Sequence, residues 1–343
     1  MFQRVKKFMK RFVPASRHQL GELNIKLSKV EKLLKNIEKN AAVEQRLDEL
    51  SSKLNKAEKS FKDASITLSN FRRFERNFLR ASLQPRLLNI TLHILEHCNL
   101  NCKGCNTFSP IADKAFVPHE TIHNDLIRLS VITNGRLQFI NVVGGEPLLH
   151  PELNEILASA RASFPVSEIM VITNGLLLLQ QGNDFWSTCK INSIKLRVTK
   201  YPIDLDYSQL YEAAKIKHVD LSYFCTTGEV TKTLYKSPMD PLGLQDPVRS
   251  FWGCHYSNKC EVLLDGRIYP CSFIPCSQHL NKKFGTKMEI EEGDYFDIYK
   301  NGNISELLEF LCKPKPFCRY CKITEREKGF AWEPSKREMS EWV

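Results

Sequence analysis

Leu92-His-Ile-Leu-Glu-His-Cys98-Asn-Leu-Asn-Cys102-Lys-Gly-Cys105 reads as an apolar strand that empties into a loop carrying three cysteines at C-x3-C-x2-C spacing. Three thiolates on one short loop reach three corners of an iron–sulfur cubane and leave the fourth iron without a protein ligand. A structural zinc site wants four ligands and a closed shell. Zinc with a fourth ligand from His97 or elsewhere is the competing reading of the spacing alone.

Outward from this loop, short apolar runs alternate with helical stretches. Strands are predicted at Leu88–Leu95, Leu137–Val143, Glu168–Thr173, Ile194–Thr199 and Val219–Phe224. Helices are predicted near Glu120–Val131, Glu152–Ser163, Leu176–Phe185 and Tyr207–Lys215. Such alternation predicts an α/β fold of parallel strands joined by right-handed crossovers, with its chemistry at the carboxyl ends of the strands. Two further motifs fall at such ends: Gly144-Gly145-Glu146-Pro147 after the second strand and Thr173-Asn174-Gly175 at the end of the third.

Taken in order, these three motifs resemble the radical S-adenosylmethionine (SAM) superfamily, whose signature is Cys-x3-Cys-x2-Cys after the first strand of a partial (β/α)6 barrel. The resemblance spans about residues 88–225. It implies a 4Fe-4S cluster held by Cys98, Cys102 and Cys105, and SAM bound near Gly144, Gly145, Glu146, Pro147 and Asn174. The two glycines would let backbone approach the ligand, Glu146 would lie near its ammonium group, and Pro147 would stiffen the turn. One departure stands out: Gly104 occupies the place of the family's usual aromatic residue, and Phe108 is a substitute for packing on the adenine. Catalytic residues are not identified. Glu96, His97, His150, Lys200 and His255 are pocket candidates that equally suit ordinary surface or supporting positions.

Seven of the twelve cysteines lie between Cys254 and Cys321. Cys254-x11-Gly266-x4-Cys271 encloses Asp265-Gly266 between apolar runs, a strong hairpin signal. With Cys318-x2-Cys321 it resembles the SPASM and shorter Twitch modules of the same superfamily. That resemblance implies one auxiliary 4Fe-4S cluster at Cys254, Cys271, Cys318 and Cys321, with zinc at the same thiolates as the alternative. Cys260, Cys276 and Cys312 remain as alternative ligands or as a hydrogen donor to a substrate radical. Cys189 and Cys225 read as buried thiols.

The 343-residue chain has a net charge of +10, but residues 1–80 carry 20 Lys and Arg against 9 Asp and Glu, and the rest carries 29 against 30. A neutral catalytic part argues against a nucleic-acid substrate. Residues 2–12 form a basic, aromatic amphipathic pattern suited to a membrane interface or to a simple basic terminus. A heptad seam with one phase slip runs from Leu20 to Phe71, predicting a coiled-coil helix roughly 80–90 Å long and a homo-oligomer.

The expected organisation is therefore a basic segment at 1–16, a coiled coil at 17–82, a radical SAM barrel at 86–245 and a Cys-rich domain at 246–343. No apolar run is long enough to cross a bilayer, and the absence of a signal-peptide pattern predicts a cytoplasmic protein. Expected partners are a small-molecule or glycan-type substrate and a reductant such as flavodoxin or ferredoxin. The resemblance suggests a sugar, aminosugar or nucleotide-sugar substrate in surface-glycan metabolism, undergoing dehydrogenation or epimerisation. A peptide maturase and a non-enzymatic iron–sulfur scaffold are the alternatives.

Overall fold

The computed structural model describes residues 86–224, 233–257, 259–300 and 302–343, with a few helical residues at 25–26, 28–30, 52–56 and 60. Apart from those few, the basic segment and the heptad seam lie outside the described residues, as does Cys225.

Alternation of apolar and polar residues makes the central sheet. Strands β1 (Leu87–His93), β2 (Leu137–Val143), β3 (Glu168–Thr173), β4 (Ile194–Thr199) and β5 (Leu221–Phe224) lie side by side and parallel. Helices α1 (His119–Thr133), α2 (Leu153–Ser163), α3 (Asn183–Ile191) and α4 (Tyr207–Ile216) form the crossovers. One face of the sheet is fully apolar: Ile90, Leu92, Ile140, Val142, Ile169, Val171, Leu196 and Val198 are buried in one core with Leu126 and Leu129 of α1 and Ile156 and Leu157 of α2. Each such side chain contributes about 1.5–3 kcal/mol on burial. The opposite face carries Asn89, Thr91, Asn141, Lys195 and Arg197, all only half-buried. Parallel register sets Thr91 beside Asn141, Asn141 beside Met170 and Met170 beside Lys195. The same face also carries Phe139, Val143, Met170 and Ile172, so the sheet has a greasy helical side and a mixed second side.

The predicted hairpin forms as β7 (Val262–Leu264) and β8 (Arg267–Tyr269). Both turn residues have positive φ, 47° at Asp265 and 70° at Gly266, the conformation that an Asp-Gly pair tolerates and most residues do not. Strand β7 runs parallel to β1, so the hairpin, with β9 (Phe296–Asp297) beyond it, extends the main sheet to eight strands. The barrel and Cys-rich segments consequently belong to one compact unit. Helices α5 (Pro247–Gly253), α6 (Phe273–Phe284) and α7 (Ile304–Cys312) complete the Cys-rich part.

The architecture is a mostly parallel α/β sheet consistent with a partial barrel, and β6 (Thr233–Lys236) pairs antiparallel with β10 (Glu327–Ala331) in a separate two-stranded sheet. One expectation changes: helix Leu176–Phe185 is displaced. The leucine run makes only a three-residue 3-10 turn at Leu178–Gln180, and extended Gly182 then caps α3. Glycine carries the largest backbone entropy loss in a helix, so the break falls there. Among the described residues no helix is long and apolar enough to cross a membrane.

Candidate active site

Strand β1 ends at His93, and its chain continues into the loop that carries Cys98, Cys102 and Cys105. The thiols of all three lie near enough to act on one another electrostatically. Burial pushes the Cys98 thiol up to about 12, opposed by a hydrogen bond from the Leu100 N–H, whose nitrogen lies 3.3 Å from Sγ. Iron binding must displace that proton. Tertiary contacts fix the loop: Trp342 donates from Nε1 to the Cys105 carbonyl at 2.9 Å, the side chain of the buried Tyr201 hydrogen-bonds Cys102, and the backbone of Asn101 and Lys103 pairs with Ser335 and Glu333.

The glycine motif sits directly against this loop. Gly145 N–H donates to the Leu95 carbonyl at 2.9 Å and Glu146 N–H to the His97 carbonyl at 3.1 Å, prolonging the β1–β2 pairing toward the first cysteine. A Cβ on Gly145 would stand 1.9 Å from the His97 carbonyl oxygen, and one on Gly144 would stand 2.4 Å from that of Leu95. In this structure the close approach that requires glycine is to the chain's own cysteine loop.

Glu146 sits in a buried hydrogen-bond network. Its carboxylate is 1% exposed and accepts from Thr173 Oγ1 at 2.7 Å, Asn174 N–H at 2.9 Å and Leu148 N–H at 3.1 Å. Burial raises its pKa to about 7 despite these three donors. Glu146 joins the ends of β2 and β3 and so positions Asn174, whose Nδ2 donates to Asn99 Oδ1 at 2.8 Å and lies 3.7 Å from Cys98 Sγ. The buried Pro147 starts a 3-10 turn that Glu146 caps. Replacing Glu146 with Ala is expected to cost about 1–3 kcal/mol for each buried donor left unpaired. Denaturant unfolding measures this, and an unchanged midpoint would remove the assigned role.

Phe108 does not face an open cavity. It is fully buried with φ 55° and packs 6.0 Å from both Phe273 and Trp342, ring centre to ring centre. The pocket candidates separate as well. His150 bonds the Val117 carbonyl and the Glu152 N–H, Lys200 lies over the rings of Tyr207 and Tyr223, and His255 contacts Arg326. His97 stacks edge-on against Phe116. Glu96 is held between His93 and His279 at 3.1 and 2.8 Å. Burial pushes its carboxyl up, but the two imidazoles outweigh burial and hold it well below the usual range.

In the Cys-rich part, Cys254, Cys271, Cys318 and Cys321 line one enclosed, chiefly apolar pocket together with Phe251, Phe317 and Arg326. Helix α5 delivers Cys254, the hairpin delivers Cys271 and a 3-10 turn carries Cys318 up to Cys321. Burial pushes the Cys318 thiol up to about 11 and raises the Cys271 and Cys321 thiols as well. Arg326 Nη2 donates to Cys254 Sγ at 3.3 Å, a contact invisible in the sequence pattern. Cys260, Cys276 and Cys312 do not line this pocket. Cys276 lies instead beside His93 and Glu96, and Cys189 is fully buried in the apolar core.

Both donor sets fit iron–sulfur clusters: one has three thiols on one loop, the other four thiols lining one apolar pocket. Residues 92–187 match the model of the Radical SAM superfamily. The chain carries a radical SAM domain. The cofactors of this family are a 4Fe-4S cluster and SAM.

Relatives to the domain include GTP 3',8-cyclase of Chlorobaculum tepidum, 29% identical over 96 residues, which are 27% of either chain. The same enzyme of Staphylococcus saprophyticus is 25% identical over 138 residues, 39% of each. That of Helicobacter pylori is 30% identical over 98 residues, 28% of this chain and 30% of its own. The chain thus spans between 27% and 39% of the length of these relatives. Among solved structures, BtrN in complex with AdoMet and 2-DOIA aligns with TM-score 0.42 and 18% identity over 68% of this chain and 92% of its own. Native anSMEcpe with bound AdoMet gives 0.42 and 16% over 68% and 83%.

Proposed function

We propose that this chain is a radical SAM enzyme in which Cys98, Cys102 and Cys105 hold the SAM-cleaving 4Fe-4S cluster and Cys254, Cys271, Cys318 and Cys321 hold an auxiliary one. The observation that carries the reading is the convergence of three ordered motifs. The three-thiol loop, the Gly144-Gly145-Glu146 backbone and Asn174 meet at the carboxyl ends of β1, β2 and β3. When bound, the cluster and SAM supply one-electron cleavage to methionine and a 5′-deoxyadenosyl radical, drawing the electron from a protein reductant of the flavodoxin or ferredoxin type.

The residues of the chain have supporting tasks. Gly144 and Gly145 let the β2 end lie flush on the cysteine loop. Glu146 fixes Asn174 beside Cys98. Leu100 N–H and Asn174 Nδ2 point toward the Cys98 sulfur, where donors stabilise the thiolate form. Arg326 does the same for Cys254.

The substrate we propose is a sugar, aminosugar or nucleotide sugar. The polar residues on the mixed second face of the sheet, Thr91, Asn141, Lys195 and Arg197, support an oxygen-rich molecule. Lys195 is paired with Glu168 at 2.8 Å, and Arg197 lies over the Phe224 ring with no carboxylate partner among the described residues. Dehydrogenation and epimerisation both suit such a face, and a peptide maturase is the second reading. Incubation with ring-deuterated nucleotide sugars, deuterated GTP and deuterated peptides separates them. Deuterium in 5′-deoxyadenosine only from the sugar supports the proposal, and transfer only from GTP or a peptide overturns it.

A further inference from the structure

Where β1 leaves the sheet, the second face closes over one residue. His93 continues the row of Asn89 and Thr91, yet it is only 2% exposed. Helix α6 supplies its neighbours. Cys276 and His279 stand three residues apart on that helix and so share a face. His93 and Glu96 stand three apart at the end of β1. A ring nitrogen of His93, a carboxylate oxygen of Glu96 and the Cys276 sulfur all lie within 4.8 Å of one another. His279 Nε2 reaches the same Glu96 oxygen, Oε2, at 2.8 Å, and His93 Nε2 reaches it at 3.1 Å. All four residues are at least nine-tenths buried. His93 Nδ1 is buried with no hydrogen-bond partner.

We propose that His93, Glu96, Cys276 and His279 form a binding site for one divalent cation of the zinc class, separate from both cysteine clusters. The chemistry of the set supports it. His93, Glu96 and Cys276 offer three established kinds of zinc ligand within 4.8 Å of one another, and His279, which reaches Glu96, would have to swing onto the ion to complete a four-coordinate shell. Nitrogen and oxygen ligands at about 2.0–2.1 Å on a tetrahedron stand roughly 3.3 Å apart, close to the spacings already present around Glu96. Charge balances too: the carboxylate and thiolate carry two negative charges, so a divalent ion leaves a neutral buried site rather than an unpaired buried anion. The Cys276 thiol loses its proton to solvent as the ion binds, and no electron changes hands.

The ion would pin α6 to the strand that enters the cysteine loop, because Glu96 precedes Cys98 by two residues and Cys276 follows Cys271 by five. A rigid link between the two cysteine sites is the structural consequence. The inference does not depend on radical chemistry.

Its test uses the full chain, reconstituted anaerobically with iron and sulfide, given one equivalent of Zn2+ and passed through a chelating column. Zinc and iron are counted by plasma mass spectrometry, and the zinc environment is read by X-ray absorption at the zinc edge. About one zinc per chain is expected, with one sulfur at about 2.3 Å and three nitrogen or oxygen neighbours at about 2.0–2.1 Å. Cys276→Ala and His279→Ala should each lower retained zinc at least tenfold while leaving iron unchanged. No zinc in the wild-type chain, zinc insensitive to both variants, or an all-sulfur shell from zinc in the cluster cysteines would each overturn the proposal. The absorption spectrum of the wild-type chain decides even if a variant fails to fold.

Discussion

Replacement of Cys98, Cys102 and Cys105 together by Ala is expected to remove about half of the bound iron, because each proposed cluster holds four iron atoms, and to abolish SAM cleavage. Six of the described thiols are engaged elsewhere. Among the described cysteines, four line the separate pocket behind α5, Cys189 is in the apolar core and Cys276 is engaged beside Glu96. The loop itself should survive, since its main anchors are not the sulfurs: Trp342 holds the Cys105 carbonyl, and the backbone of Gly145 and Glu146 holds those of Leu95 and His97. The variant should therefore fold and keep the iron of the auxiliary site. Iron analysis and circular dichroism check both halves of that expectation; unchanged iron would place the cluster elsewhere.

Gly145→Ala should be nearly as damaging for a different reason. The added methyl would meet the His97 carbonyl oxygen at 1.9 Å, its carbon at 2.2 Å and the Cys98 nitrogen at 2.8 Å. All three are backbone atoms, so no rotamer change can relieve the contact. Either the β2 end lifts from the loop, losing the hydrogen bonds at Leu95 and His97, or the first cysteine shifts. Overpacking of this kind costs about 1–3 kcal/mol even where side chains can yield, so a loss at or above that range is expected. Cluster assembly should fall with it, because Cys98 moves with its own nitrogen. Normal iron content and an unchanged unfolding midpoint would show that the loop is freer than its packing implies. Gly182→Ala, with nothing within 4 Å of the added carbon, is the matched control.

Much of this site was legible before any coordinates. The strand boundaries of β2, β3 and β4 follow from short apolar runs, and the Asp265-Gly266 turn follows from its demand for positive φ. The motifs were legible because each is local: cysteines on one loop, glycines where two backbones touch. What each motif touches was not. The packing of Gly145 on the chain's own loop and of Glu146 on Thr173 and Asn174 comes only from tertiary pairing.

Contacts made across long stretches of chain were missed for the same reason. Tyr201 against Cys102, Trp342 against Cys105 and Arg326 against Cys254 join residues that no local pattern connects. His279 was missed too, although Cys276-x2-His279 and His93-x2-Glu96 are each visible as spacings; only the packing of α6 on β1 gives them a common meaning. Helix α3 was misplaced because four successive leucines satisfy a helical template at any phase, and only Gly182 marks the true start.

The central claim is that the three-cysteine loop serves SAM cleavage, and one measurement bears on it most directly. The full chain, reconstituted anaerobically, is reduced with dithionite, supplied with SAM, and assayed for 5′-deoxyadenosine by mass spectrometry alongside the triple Cys→Ala variant. The account predicts 5′-deoxyadenosine from the wild-type chain and none above background from the variant. Equal yields from the two, or a wild-type chain that carries its full iron yet neither binds nor cleaves SAM, would contradict it.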